Sequence, residues 1–176
     1  IRGNNCCATM AFKFKDNSKT IVSNYLHDDV NIGNDISIDF GMNCKIEVAD
    51  SAANFSALFL INQDIKYNFF TKGNVEIDLK NKAACGLYIR RSTTGIGGIV
   101  NISNVSISNV YRYNEFNTPA RGISIIGEFA TIFINKCIVN NVFWQNGANI
   151  YGQEAKGIVV AELIGDVYIT DCLVTG

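Results

Sequence analysis

Apolar and polar residues alternate along most of this chain in short runs, and between residues 86 and 176 the alternation repeats three times. Each copy opens on a glycine followed by a short apolar run, at Gly86, Gly122 and Gly157, which lie 36 and 35 residues apart. Each copy continues into a longer alternating run, which reads VNISNVSISNV (100–110), IFINKCIVNNV (132–142) and VYITDCLVTG (167–176). Alternation with a period of two predicts half-buried β-strands. Self-similarity at a period of roughly 20–50 residues predicts a repeat architecture.

The three copies align residue by residue. The alignment gives three rows of equivalent apolar positions: Ile102, Ile134 and Ile169; Val105, Cys137 and Cys172; Ile107, Val139 and Val174. If the chain winds once per repeat, equivalent strands stack about 4.8 Å apart in parallel sheets, and each row becomes an internal ladder. The sequence lacks helical periodicity, the leucine-rich motif and the Trp-Asp dipeptide of propeller blades. The predicted fold class is therefore all-β, a parallel β-helix with one coil per repeat.

The earlier residues follow the same pattern less regularly. Alternating runs predict strands at 10–15, 20–26, 36–40, 45–48, 57–61, 65–69 and 75–79. Residues 1–34 are expected to form an N-terminal lead-in or cap, because the first coil of a stacked fold must be covered. Residues 35–176 are expected to form the β-helix. The chain stops at Gly176 partway through a repeat, so we expect the β-helix to be truncated at its C-terminal end.

Asparagine recurs near the end of the longer run. Asn109 occupies this place in the first copy, and Asn140 and Asn141 occupy it in the second. Asparagine favours turns that need a left-handed residue, and its amide can bond the backbone or the asparagine of the next coil. These residues are therefore expected to lie at a corner of the coil.

Composition and charge narrow the class of protein. The chain of 176 residues is 48% hydrophobic and has a single proline, which predicts one folded domain without a flexible linker. A net charge of −1 argues against a nucleic acid or an anionic membrane as partner. No apolar run approaches the roughly 18 residues of a membrane-spanning helix, so no membrane insertion is expected.

Cysteine and histidine usage argues against a metal site. The six cysteines form no Cys-x-x-Cys pair, and His27 is the sole histidine. Phosphate-binding and dinucleotide-binding motifs are also absent, so no cofactor is expected. Cys137 and Cys172 share one inward row, and we expect both to be reduced and buried as small hydrophobic residues. A disulfide between neighbouring coils is the alternative.

The three repeat copies, together with GNVEIDLKNKAACGLYI (73–89), resemble the coils of right-handed, single-stranded parallel β-helix proteins. Bacteriophage tailspikes and pectate-lyase-like enzymes belong to that group. The resemblance covers roughly residues 35–176 and implies a right-handed coil. Resemblance to tailspikes further implies a homotrimer, in the virion (the phage tail) or secreted, whose partner is a carbohydrate of the bacterial capsule or O-antigen.

The resemblance leaves the activity open, because one repeat pattern serves lyases, hydrolases and adhesins. The first hypothesis is a fragment of a tailspike-like receptor-binding protein that recognises a bacterial surface polysaccharide. If it is enzymatic, it is a depolymerase, either a glycoside hydrolase or a lyase. The alternatives are a free-standing pectate-lyase-like lyase or hydrolase, and a non-catalytic adhesin or structural stalk.

Two long connections between successive repeats, 111–121 and 143–154, carry the candidate substrate-binding residues. Equivalent positions should place these loops side by side on one face. Aromatic rings with polar neighbours suit stacking on sugars. The alternative is that the rings pack the loops onto the body or fill a subunit interface. The candidates are Tyr111, Arg112, Tyr113, Arg121, Trp144 and Tyr151.

Four glutamates are candidate catalytic residues. Glu128 and Glu162 follow Gly-led strands of successive repeats, and Glu115 and Glu154 lie in the long loops. Glycosidases use two carboxylates, roughly 5–5.5 Å apart for retention and roughly 6.5–9.5 Å for inversion. Groups on neighbouring coils could meet the shorter distance. The alternative is that these glutamates are solvated turn residues.

Overall fold

The computed structural model describes residues 10–24, 26–28, 35–63, 68–91, 97–112, 119–144, 155–162 and 165–176. These residues form strands and no helix, so none of them belongs to a helix that could cross a membrane. The strands are β1 (Met10–Lys13), β2 (Lys19–Val22), β3 (Leu26–Asp28), β4 (Ile36–Asp39), β5 (Cys44–Val48), β6 (Phe59–Gln63), β7 (Phe69–Lys72), β8 (Val75–Asp78), β9 (Cys85–Arg91), β10 (Gly97–Ser103), β11 (Val105–Arg112), β12 (Arg121–Ile126), β13 (Phe129–Asn135), β14 (Ile138–Trp144), β15 (Lys156–Ala161), β16 (Asp166–Thr170) and β17 (Leu173–Thr175).

Every third strand along the chain joins the same parallel sheet. Sheet A has the order β1-β4-β7-β10-β13-β16, sheet B the order β2-β5-β8-β11-β14-β17, and sheet C the order β3-β6-β9-β12-β15. One strand from each sheet makes a coil, so the described strands form five coils and the first two strands of a sixth. The predicted all-β, parallel β-solenoid is confirmed.

The register confirms the internal ladders predicted from the repeat. Ile102, Ile134 and Ile169 pair in register in sheet A, and Ile107, Val139 and Val174 pair in sheet B. The first two members of each ladder are fully buried, whereas Ile169 and Val174, in the sixth coil, are about half exposed. The core is therefore a stack of mostly aliphatic rows, whose side chains are buried against those of the neighbouring coils.

The run from 100 to 110 is two strands rather than the single strand expected. Its first part belongs to β10 in sheet A and its second to β11 in sheet B. The chain turns between them at Asn104, whose φ of 55° lies in the left-handed region. Lys136 and Asp171, both with a φ of 52°, make the same turn in the next two coils. A single residue is enough to end one strand and start the next.

The Gly-led strands carry glycine for lack of space. A Cβ added at Gly122 would lie 2.2 Å from Cγ1 of Val139, and one at Gly157 would lie 2.3 Å from Cγ1 of Val174. Gly86 faces Ile107 in the same way, at 2.8 Å. Sheet C can pack closely against the Ile107 ladder of sheet B only because this row has no side chain, so the glycines and that ladder are two sides of one contact.

The first strands continue the same sheets. Strands β1, β2 and β3 pair in parallel register with β4, β5 and β6, so these three strands add a first coil to the three sheets. The role of residues 1–34 as a cap stays a prediction. Of the strand expected at 65–69, only Asn68 and Phe69 fall within the described residues, and Phe69 begins β7.

The cysteines that the structure describes are free thiols: Cys44, Cys85, Cys137 and Cys172. The expectation of reduced Cys137 and Cys172 is confirmed; Cys137 is fully buried as expected, whereas Cys172, in the sixth coil, is only half-buried. Cys44 and Val75 prove to be earlier members of the same row as Val105.

Candidate functional site

The outer face of sheet B carries two rows of mostly polar side chains. Inward and outward side chains alternate along its strands, as the burial of β5 and β8 shows. Two outward rows result: Lys19, Lys45, Glu76, Ser106, Ile138 and Leu173, and beside it Ile21, Glu47, Asp78, Ser108, Asn140 and Thr175.

Two overlapping depressions cross these rows and are here called the sheet B groove. The first, about 220 Å³, runs along the corner with sheet A and is lined by Asn43, Asn74, Asn104, Lys136 and Ile138. The second, about 370 Å³, is lined by Glu47, Asp78, Ser108 and Asn140. Lys45, Glu76 and Ser106 line both, so the depressions form one surface that spans four coils.

In the first three coils, a ladder of asparagine amides forms the corner between sheets A and B. The Asn43 amide donates to Oδ1 of Asn17 at 3.2 Å, and the Asn74 amide donates to Oδ1 of Asn43 at 3.0 Å. The backbone N–H of Asn43 donates to Oδ1 of Asn74 at 2.7 Å. Asn17 and Asn43 both have a φ of 52°, which asparagine tolerates better than most residues. These bonds fix the edge of the groove from one coil to the next.

Two short ion pairs hold Glu47 and Glu76, and Asp78 forms a longer one with Lys80 at 3.6 Å. Lys19 lies 2.9 Å from Glu47, and Lys45 lies 2.9 Å from Glu76. The hydrogen bond and the charge of Glu76 raise the pKa of Lys45 above its ordinary value. All four side chains are partly or largely exposed, so each pair contributes little to stability. Their effect is to fix the direction in which each carboxylate points.

Asp78 is the most fully bonded carboxylate of the groove. It accepts the backbone N–H of Lys80 at 2.9 Å and the amide of Asn109 at 2.8 Å, and Asn109 in turn accepts the amide of Asn141 at 3.2 Å. Asn109 and Asn141 have φ values of 56° and 52°, so both adopt the predicted left-handed conformation, but they lie inside β11 and β14 and not at a corner between strands. Asn140 does not share this conformation and pairs in register with Ser108.

The groove's polar residues on strands β11 and β14, in the fourth and fifth coils, are uncharged. The Ser108 hydroxyl donates to the carbonyl of Ile77 at 3.3 Å. Ser106 and Asn140 make no side-chain hydrogen bond with any residue that the structure describes, so their polar atoms are available to a ligand. The groove therefore combines oriented carboxylates in the second and third coils with an available hydroxyl in the fourth and an available amide in the fifth.

The arrangement suits binding of a hydroxyl-rich molecule more than metal chemistry. Carboxylates accept from hydroxyls, amides and serines both donate and accept, and lysine donates. Among the described residues, no three histidine, cysteine, aspartate or glutamate side chains are grouped as metal ligands would be. The groove's carboxylates already accept bonds from lysines, a backbone N–H or an asparagine amide.

The expected loop site is described only where its strands begin and end. Tyr111 pairs with Phe143 and Arg112 with Trp144, so the strands entering the two long loops lie side by side. Arg112 is 1% exposed, and its burial lowers the pKa of the guanidinium. Tyr111 is half-buried, and the side chain of Trp144 lies outside what is described. Tyr113, Glu115, Tyr151 and Glu154 also lie outside the described residues.

The remaining predicted residues lie on the sheet C side of the coil. Arg121 begins β12 and donates from Nη1 to the buried Ser124 hydroxyl at 3.1 Å. Glu128 is half-buried just before β13, and Glu162 is exposed just after β15. Ile126 pairs with Ala161, so Glu162 corresponds to Gly127 and Glu128 is one position further along the coil. Their catalytic roles stay predictions.

None of the groove residues was among the sequence candidates, because regular strands were interpreted as scaffold. A signal was present. Asparagine directly precedes the inward row in three coils, as Asn43-Cys44, Asn74-Val75 and Asn104-Val105. This row marks the corner, and the groove begins beside it.

Comparison of the chain with protein-family models, with curated proteins and with solved structures finds no match.

Proposed function

We propose that this protein binds an extended bacterial surface polysaccharide along the sheet B groove. The observation that carries the proposal is the row of Glu47, Asp78, Ser108 and Asn140, which lines the groove with polar side chains in four successive coils. A polysaccharide presents hydroxyls at regular intervals and needs both donors and acceptors at regular intervals. Neighbouring coils repeat the two outward rows about every 4.8 Å, so a chain lying along the solenoid axis meets an equivalent position in each coil.

The chemistry of the rows supports this ligand. Glu47, Glu76 and Asp78 are acceptors held in place by their own partners, so binding a sugar hydroxyl costs little further ordering of these side chains. Ser106 and Asn140 add groups that can donate or accept. The described lining has no aromatic side chain, so hydrogen bonding rather than ring stacking would carry the recognition.

The resemblance of the repeats to tailspike coils supports a virion or secreted receptor-binding protein, which we propose to be a homotrimer. Part of the outer face of sheet A suits contact between copies. Ile99, Phe133 and Tyr168 are 38%, 37% and 49% exposed there, and the rings of Phe133 and Tyr168 stack 5.1 Å apart. Contact with another copy would remove these apolar groups from water.

Depolymerisation is the second candidate function, and one observation favours it. Glu47 and Asp78 pair in register on neighbouring strands, so their backbones lie about 4.8 Å apart and both side chains point outward. This spacing is compatible with the roughly 5–5.5 Å between the carboxyl groups of a retaining glycosidase.

A glycan array of bacterial capsules and O-antigens tests the proposal. Ser106→Tyr places a ring in the middle of the groove, at a strand position that tolerates aromatic residues. The matched control is Ser51→Tyr, which makes the same substitution in an exposed turn outside the groove. We expect Ser106→Tyr to lower the array signal by at least roughly tenfold and Ser51→Tyr to leave it unchanged.

The outcomes separate the candidates. An array signal that survives Ser106→Tyr would place binding elsewhere on the molecule, and no signal on any glycan would contradict the function. New reducing ends or unsaturated products from a bound glycan, lost in Glu47→Gln or Asp78→Asn, would establish cleavage. Binding without products would leave recognition alone.

A further inference from the structure

The asparagine ladder at the corner of the groove stops in the fourth coil. In the first three coils the amides of Asn17, Asn43 and Asn74 bond one another. The equivalent Asn104 makes no side-chain hydrogen bond with any described residue, and the next position holds Lys136. The corner thus changes from a closed set of amides to one available amide followed by a cation.

Lys136 departs from the local preference of its row. Its φ of 52° lies in the left-handed region, where asparagine and aspartate are enriched and lysine is not. The left-handed members of the row before and after it, Asn104 and Asp171, follow the preference. Lys80 has the same conformation outside the groove, with a φ of 51°, so the role of Lys136 is argued from its charge and its neighbours.

The charge of Lys136 is also uncompensated among the described residues. The other lysine in this part of the groove, Lys45, is paired with Glu76 at 2.9 Å. Lys136 is exposed and forms no ion pair with any carboxylate that the structure describes. The one carboxylate lining this depression is therefore neutralised, and the net charge of the lining is that of the Lys136 ammonium.

Three donor groups line the same depression: the ammonium of Lys136, the amide of Asn104 and the hydroxyl of Ser106. Each can donate to an oxygen, and the ammonium adds a full positive charge. A carboxylate accepts several hydrogen bonds at once, and such bonds are stronger when both partners are charged. A neutral sugar hydroxyl would gain only the weaker bonds.

We propose that Asn104, Ser106 and Lys136 form a subsite for the carboxylate of an acidic sugar, so that the polysaccharide bound by the groove is an acidic one. The inference rests on the proposed function and narrows its ligand class. Lys136 is the specificity-determining residue, and Asn104 and Ser106 orient the carboxylate.

Lys136→Asn separates this role from a structural one. The substitution removes the charge, and it also supplies the residue that the row prefers and an amide that can extend the ladder. We therefore expect the midpoint of thermal unfolding to stay the same or rise while binding of acidic glycans falls roughly fivefold, the worth of one exposed charge pair. Lys136→Arg should retain binding. Lys72→Gln removes an exposed lysine that does not line the groove, and should change neither quantity.

The binding probe is an array of acidic capsular polysaccharides printed beside their carboxyl-reduced, neutral forms. We expect the wild type to prefer the acidic forms and Lys136→Asn to lose the preference while keeping its weaker signal on the neutral forms. Equal binding of both forms, or a preference that survives Lys136→Asn, would overturn the subsite and leave the proposed function standing. No signal on either form would overturn both.

Discussion

The two ends of each sheet B strand join the rest of the coil in different ways. At the start of β8, β11, β14 and β17 the corner with sheet A takes one or two residues. At the other end, the connection to sheet C runs over 49–58 in the second coil and 79–84 in the third. The corner takes five residues in the first coil (14–18) and four in the second (40–43), so it is nearly constant in length only from the third coil on, whereas the second junction varies.

The difference has a physical basis. At the corner of the fourth coil, a single left-handed residue carries the chain from sheet A to sheet B while its neighbours keep the inter-coil ladder, as when the backbone N–H of Val75 donates to the carbonyl of Asn104 at 3.1 Å. We expect a residue inserted there to displace the side chains that follow it. The connection to sheet C takes ten residues in the second coil and six in the third, yet Phe55 and Ala83 of the two connections still form a parallel bridge, so its length changes without altering the register.

This contrast explains where a regular binding surface can form. The sheet B groove lies against the constant corner, so its side chains inherit the spacing of the coils. The connections to sheet C can vary freely in length and sequence, but they cannot present the same group once per coil. A repeating ligand fits the first kind of surface.

The largest expected effect comes from inserting two glycines at each junction, in separate variants, and comparing their thermal unfolding. Between Asn104 and Val105 the insertion should abolish cooperative thermal unfolding, because it separates the paired strands of the fourth coil from their neighbours on both sides. Between Asp50 and Ser51, an exposed turn, the same insertion should cost only about 1 kcal/mol of unfolding free energy. Circular dichroism melts of both variants measure the difference. Similar melts would show that the corner is no more constrained than the connection.

The corner explains what the sequence could and could not predict. The ladders were predictable because their inward residues recur at fixed positions in each repeat. The break into two strands was missed, although the sequence marks it. Apolar residues are two apart within a strand, but Ile102 and Val105 are three apart, as are Ile134 and Cys137 in the next coil. A left-handed residue consumes the extra position.

The groove was not predictable from the same evidence. Outward positions of a regular strand, such as Ser106 and Glu76, have the composition of any solvated face. Only the register brings the outward rows of four coils together and shows which of their charges are already paired. Ile107 and Val110 are likewise three residues apart, and the left-handed Asn109 lies between them. The sequence therefore marks this position inside β11 in the same way.

A second prediction compares a left-handed asparagine at the corner with one inside a sheet B strand. Asn43, at the corner, bonds both Asn17 and Asn74 through its side chain, whereas the Asn141 side chain donates to Asn109 alone. Asn43→Ala should cost about 2 kcal/mol, from the left-handed backbone and two lost bonds, and Asn141→Ala about half as much. Urea unfolding measures both.

Glycine variants separate the two contributions. Asn43→Gly should recover the backbone part of the loss, because glycine adopts a positive φ freely, and should keep the part due to the amide bonds. Equal losses for Asn43→Ala and Asn43→Gly would show that the backbone conformation contributes nothing at this corner.

The last prediction concerns Cys137, the buried residue directly after the corner, and appears only at high pH. Burial raises the pKa of its thiol from 9.0 to about 11. The neutral thiol is therefore the form that the folded protein favours, and the stability it contributes is present below pH 9 and lost as the pH rises toward 11. At pH 10 the loss should be about 1.4 kcal/mol. Cys137→Val, which places in this coil the residue found at Val75 and Val105, should remove that part of the decline.

Cys85 provides the comparison at the other junction. It follows the connection to sheet C, and burial raises the pKa of its thiol to about 12. Cys85 is unchanged in Cys137→Val, so the variant should keep a shallower decline in unfolding free energy above pH 9, measured by urea unfolding between pH 8 and pH 11. Identical pH profiles for the wild type and Cys137→Val would mean that the corner thiol titrates alike in the folded and unfolded chain, and that the space behind the corner is open to water.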